Sequence, residues 1–310
     1  MLNSPPPDVP TSSLSAHLDK LGELEEAHRI VQRALDAAFV DCHKAMHQLY
    51  RSWPQRRDKH YSTAGTTATL LLCTRHDLFL ANVGDSDAFY YCLGADEPQC
   101  LTVSHLPNIP SEVRRIRNCG GRISAMRVCW TRLSASSGQR VSVPFLNMTR
   151  ALGDFWSWNP ASEAYIVDPH PHTCHRLRQP DEDDFVIMAS DGLWDCLPPA
   201  TAGVVVRESL AKNCCPAPAL VECALQFTRS HNIKCDNVSV TVVFLRGRAA
   251  CPLHASVSRS SRASTPCYSH HTSDSGISSG YAGSLDAAGL NGSLCADVLQ
   301  SHGSSGYLNA

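Results

Sequence analysis

A mixed α+β fold over residues 14–247 is predicted by three features of the chain. Apolar residues recur at helical spacing from Leu14 to Trp53. From Thr67 onward the period changes to short runs rich in Leu, Val, Phe and Tyr, separated by turn residues. Near Arg248 the composition shifts to Ser, Gly, Ala and His. A 310-residue chain with 43% hydrophobic residues is long enough to bury a sizeable core.

Residues 1–13 form a Pro- and Ser-rich leader expected to be disordered. The stripe Leu14, Leu18, Leu21, Leu24, Val31, Leu35, Phe39, Cys42, Met46, Leu49 and Trp53 predicts a helix, with Gly22 an expected interruption and Pro54 a stop. Thr67–Cys73, Asp77–Val83 and Ser86–Cys92 read as consecutive antiparallel strands. Ser111–Asn118 reads as a helix stopped by Gly120-Gly121. Weaker strand signals flank a flexible stretch at 134–139. Phe185–Ala189 has the continuous apolar run of a strand buried on both faces. Leu197–Lys212 and Ala217–Thr228 are helical, and Val238–Leu245 is a last strand. Residues 248–310 lack the apolar surface to offset ordering entropy and are expected to be a disordered tail.

A formal charge of −2 gives no electrostatic argument for nucleic acid or an anionic membrane. No apolar run approaches the ~20 residues of a membrane span, and no signal peptide is visible in the first twenty residues. The 15 cysteines are scattered, odd in number and never spaced Cys-x-x-Cys, so they read as reduced thiols of a nuclear or cytosolic protein.

Chemistry concentrates at four aspartates in turns beside apolar strands: Asp85 after Asn82-Val83-Gly84, Asp191 and Asp195 in Asp191-Gly192-Leu193-Trp194-Asp195, and Asp236 before Asn237-Val238. A carboxylate at the end of a buried strand is costly unless paired, hydrogen-bonded or metal-bound. Hard oxygen donors of this kind suit Mg²⁺ or Mn²⁺. Any one of them alone reads more readily as a turn cap.

Their context resembles the metal-dependent Ser/Thr protein phosphatases of the PPM family (type 2C). The matching stretches are Ser62–Ala68, Ala81–Ser86, Glu112–Gly121, Thr149–Phe155, Phe185–Asp195 and Asp236–Val240, in the family's order. Arg127–Trp130, Pro144–Leu146 and Gly153–Trp158 look most like the delta-type branch, which is associated with the DNA-damage response. The resemblance implies a four-layer β-sandwich flanked by helices, with Mg²⁺ or Mn²⁺ ions activating water for hydrolysis of phosphoserine and phosphothreonine on proteins. It implies that Asp191 and Asp236 ligate one paired metal, and that Asp85, Asp191 and Asp195 serve a weaker one. Arg150 and Asp154 are expected to pin the loop that carries them.

The family's Asp-Gly-His-Gly-Gly segment has no counterpart, and the match begins around His28–Tyr50. The expectation is therefore an N-terminally truncated domain with impaired activity, the alternative being a non-catalytic phosphoprotein-binding or scaffold protein. Arg127, Arg132 and Arg140 lie in a stretch read as a loop that meets acidic substrates. Ser275 and Ser279, in Asp274-Ser275-Gly276-Ile277-Ser278-Ser279, resemble a phosphodegron for a ubiquitin-ligase adaptor. Gly84-Asp85-Ser86-Asp87-Ala88 approaches a nucleophile elbow, but strand-like residues follow it where a helix is required. His170, His172 and His175 could gather a transition metal, but Pro169 and Pro171 make the stretch extended and it reads as a solvated loop.

Overall fold

The computed structural model describes residues 11–56, 61–95, 97–133, 140–234 and 236–246. In chain order the elements are α1 (Thr11–Leu49), β1 (Gly65–Thr66), β2 (Ala68–Cys73), β3 (Asp77–Val83), β4 (Ala88–Cys92), β5 (Gln99–Cys100) and α2 (Pro110–Asn118). Next come β6 (Ile123–Ser124), β7 (Arg127–Leu133), β8 (Arg140–Leu146), β9 (Leu152–Gly153), β10 (Trp158–Asn159), β11 (Ala164–Tyr165) and β12 (His172–Leu177). The remainder is β13 (Asp183–Ala189), α3 (Asp191–Trp194), α4 (Pro199–Ala211), α5 (Pro216–Ser230) and β14 (Val240–Phe244). The mixed α+β class is as expected, and the pairs β1–β9, β10–β11, β12–β3, β3–β2, β13–β14, β6–β7 and β7–β8 are antiparallel. The described residues divide into two compact units, 11–88 with 100–181 and 89–99 with 182–246.

In the first unit α1 runs unbroken through Gly22. One glycine costs only about 1 kcal/mol relative to alanine, too little to break a 39-residue helix. Its Leu35, Phe39 and Met46 pack with Ala81 and Val83 of β3 and Leu152 of β9. The sheet order there is β12-β3-β2. This corrects two expectations. The His170–His175 stretch is not a solvated loop, because His172–Leu177 forms a strand in full register with β3. Nor do three consecutive strands form one meander, because β4 leaves to join β13. The chain turns at Gly84, whose φ of +98° disfavours a side chain and where a Cβ would lie 2.3 Å from the Thr67 methyl. The stretch from Arg127 is likewise a hairpin, β7 with β8, rather than a loop.

In the second unit β14, β13 and β4 lie side by side, extended by β5. Phe185, Ile187 and Val186 are fully buried, so β13 is covered on both faces as its apolar run requires. Ala202, Val205 and Val206 of α4 and Leu220 and Ala224 of α5 join Phe185 and Ile187 in one apolar cluster. Both helices open on proline, whose missing N–H is no loss at a first turn. Both close on a left-handed asparagine, Asn213 and Asn232. There the following N–H reaches back to the last turn, Cys214 to Ser209 and Ile233 to Thr228. Cys223 is disulfide-bonded, which departs from the fully reduced reading. Such a bond needs two Cβ atoms within about 4 Å, a proximity that scattered spacing does not disclose. Among the described residues no helix is long and apolar enough to cross a membrane.

Candidate metal centre

The apolar strand β13 delivers the chain to Ser190, and a single short helix, α3, turns it away. Ser190 ties this turn to the segment that leads into β14. Its N–H donates to the Ser239 carbonyl at 3.0 Å, its Oγ donates to the Asn237 carbonyl at 3.0 Å, and the Ser239 N–H donates back to that Oγ at 3.1 Å. Trp194 closes the turn from the other side by donating Nε1–H to the Ala189 carbonyl at 3.1 Å. Leu193 is fully buried beneath it.

This clip brings Asp191, Asp195 and Asp236 together. Partial burial raises the Asp191 carboxyl above the usual range, and the charge of Asp236 adds to it, while the Gly192 N–H opposes both. Partial burial also raises Asp195, with the charges of Asp191 and Asp236 adding further. Gly192 donates to Asp191 Oδ1 at 2.9 Å, and Asn237 donates to Asp236 Oδ1 at 2.7 Å, so backbone amides aim both carboxylates. Asp191 and Asp195, each raised by burial and by the charge of Asp236, are a cation-seeking pair, and oxygen-only donors fit Mg²⁺ or Mn²⁺ better than zinc.

Gly192 sets the spacing. A Cβ there would lie 2.4 Å from the Asn237 carbonyl oxygen, so any side chain drives the two segments apart. Gly192→Ala is expected to destabilise the protein by about 1–3 kcal/mol, read as a lower urea midpoint. An unchanged midpoint would show that the approach is not under constraint.

The other expected site residues fall elsewhere. Asp85 belongs to the first unit, where it is 9% exposed in the turn after β3. That turn is braced by Thr67 and Ser86, whose hydroxyls are 2.9 Å apart, and by the His105 N–H donating to the Gly84 carbonyl at 3.0 Å. The strand β4 that follows excludes the nucleophile-elbow reading. Arg127 donates to the Phe145 carbonyl at 2.9 Å. Arg132 stands opposite Val141 and Arg140 opposite Leu133 in the hairpin register. Arg150 forks onto Glu112 Oε1 at 2.6 and 3.1 Å and donates to the His170 carbonyl at 2.8 Å. Asp154 accepts from Trp156 Nε1 at 2.6 Å. The leader through residue 10, the tail from residue 247, and with it Ser275 and Ser279, lie outside the described residues. Sequence reasoning missed Ser190, although a serine directly before Asp-Gly at a strand end is the signal for such a clip.

The family profile described as protein phosphatase 2C matches residues 9–233. The chain belongs to the protein phosphatase 2C family. It is 36% identical over 195 residues to protein phosphatase 2C 37 of Arabidopsis thaliana, covering 59% of this chain and 43% of that protein. To protein phosphatase 2C homolog 2 of Schizosaccharomyces pombe it is 34% identical over 205 residues, covering 63% of this chain and 50% of that protein. The chain thus spans about half the length of the curated relatives it matches. The solved serine-threonine phosphatase 2C from Toxoplasma gondii superposes with a TM-score of 0.55 at 22% identity. That superposition covers 77% of this chain and 72% of the other, and it shares the phosphatase 2C fold.

Proposed function

We propose that this chain acts in the metal-dependent hydrolysis of phosphoserine and phosphothreonine on protein substrates. The observation that carries the proposal is the convergence of Asp191, Asp195 and Asp236 at the Ser190 clip, within a phosphatase 2C family chain. Asp191 and Asp236 would hold one Mg²⁺ or Mn²⁺ ion, and Asp191 with Asp195 would serve a further one. A bound divalent ion supplies Lewis acidity toward the phosphate and a water. The chain's own part is positional. Backbone amides of Gly192 and Asn237 orient the carboxylates, and Ser190 holds the two segments in one arrangement.

Within the family we place the chain with the delta-type branch. One aromatic residue from each of the three stretches that carry this likeness joins a single cluster. Trp130 lies 5.7 Å from Phe145 and 6.2 Å from Trp156 between ring centroids, and Phe145 meets Trp156 edge-on at 5.2 Å.

The test is phosphate release from a phosphothreonine peptide in Mn²⁺, with Mn²⁺ binding read separately by calorimetry. Asp191→Asn and Asp236→Asn are each expected to lower turnover by about 100-fold or more and to weaken Mn²⁺ binding. Undiminished turnover in Asp191→Asn would overturn the proposal. Stoichiometric phosphopeptide binding by the parent chain without turnover would favour the binding-protein alternative.

A further inference from the structure

A second set of potential ligands lies in the first unit, away from any residue assigned above. Asp77 opens β3 and His175 sits in β12, on the antiparallel partner. The register places Asp77 opposite Leu177 and Phe79 opposite His175, so Asp77 and His175 are diagonal neighbours on one face of the sheet. Phe79 stacks on the His175 ring at 4.6 Å and fixes its plane. From α1, His28 descends onto the same face with its ring 3.8 Å from that of His175.

The three side chains converge on one point. His175 Nε2 is 2.8 Å and His28 Nε2 is 3.0 Å from the same oxygen, Asp77 Oδ1. Their ligand atoms all lie within 4.8 Å of one another, which no other set of three His, Cys, Asp or Glu residues achieves among those described. His28 Nε2 is nevertheless a buried atom with no hydrogen bond, because its approach to the carboxylate is misdirected. A buried ring nitrogen left unsatisfied beside a carboxylate is a cost that a cation between them would remove. The other carboxylate oxygen is steadied by the Thr74 hydroxyl at 3.3 Å, as outer partners steady ligands in metal sites.

We infer that His28, Asp77 and His175 form a zinc site that fastens α1 to the β12-β3-β2 sheet. Two imidazoles and one carboxylate are the borderline donor set that zinc prefers, and they leave the fourth tetrahedral position open. Tetrahedral ligands of zinc stand about 3.3 Å apart, so the two histidine–aspartate distances need to open by only a few tenths of an ångström from the observed 2.8 and 3.0 Å. An open cleft of about 670 Å³, bordered by His28, His175 and Glu25, gives an entry path and room for a water as fourth ligand.

The experiment is equilibrium binding of Zn²⁺ to the full chain after exposed thiols have been blocked, since Cys42, Cys73, Cys100 and Cys214 are exposed and free. One equivalent of Zn²⁺ is expected to bind and to raise the melting temperature. Co²⁺ in its place is expected to give the visible absorption of a tetrahedral centre. His28→Ala and His175→Ala are each expected to weaken Zn²⁺ binding at least 100-fold, while Asp191→Asn with Asp236→Asn leaves it unchanged. Because His28 lies on a helix surface, His28→Gln provides a variant that keeps the packing. Equal Zn²⁺ affinity in parent and His28→Gln, or binding that disappears on thiol blocking, would overturn the site. The cluster would then be a histidine–aspartate clamp alone.

Discussion

Replacing Glu112 by alanine is expected to destabilise the first unit by about 3–5 kcal/mol, the cost of leaving two arginines partly buried without their anion. Glu112 is 3% exposed in the first turn of α2. Its Oε2 accepts from Arg115 at 2.8 and 3.1 Å and from the Thr149 hydroxyl at 2.9 Å, and its Oε1 accepts the Arg150 fork. Arg115 goes on to the carbonyls of Thr149 and Ile166, so one carboxylate organises the chain on both sides of β9. Burial alone would raise the Glu112 carboxyl, but Arg150 and Arg115 outweigh it and hold the group at about 2. The folded value lies below the unfolded one, so the stabilisation is complete above about pH 4.5 and is lost as pH falls toward 2. That shift corresponds to about 3 kcal/mol, in line with the cost from burial. Urea unfolding of Glu112→Ala at pH 7 checks the figure, and a loss under about 1 kcal/mol would mean the network is dispensable. Arg150→Met in the Glu112→Ala background should recover part of the loss, since it removes one orphaned charge.

Asp154→Asn is expected to stabilise the protein by about 3 kcal/mol at neutral pH. Asp154 is 3% exposed and sits at φ +50°, a conformation asparagine adopts readily. Burial pushes its carboxyl up to about 6, and the Trp156 indole offsets only part of that. Here the folded value exceeds the unfolded 3.8. The ionised side chain therefore weakens the fold above about pH 6, and the penalty fades as pH falls toward 4. The advantage of Asn over Asp should follow the same course, largest at pH 7 and near zero at pH 4. His43 and His105 are buried, held by burial at about 4, and act in the opposite direction on acidification. They are common to both proteins and cancel in the difference. A difference that does not change with pH would show that Asp154 is not the titrating group.

Much of the fold is legible from local pattern. The apolar stripe marks α1, the continuous run at Phe185–Ala189 marks β13, and Gly120-Gly121 marks the end of α2, because each signal depends only on neighbouring residues. Three of the aspartates are legible for a similar reason, since Asp85, Asp191 and Asp236 each stand beside a glycine or asparagine near a strand end. What stayed hidden is long-range pairing. The stretch His172–Leu177 is strand because β3 offers it a hydrogen-bonding edge, and nothing within Pro169 to Arg178 announces that partner. The departure of β4 to β13 is equally invisible in its own residues.

By itself, then, the sequence determined where most helices and strands lie, which family the motifs resemble and which carboxylates are candidates for metal. Tertiary structure alone decided that Ser190 clips Asp191 to the segment of Asp236, that Glu112 gathers Arg115 and Arg150, and that His28 meets Asp77 and His175. Glu112 and Arg115 apart, these contacts join residues 38 to 147 positions apart, and their formation depends on sheet register and helix packing, which no local period encodes.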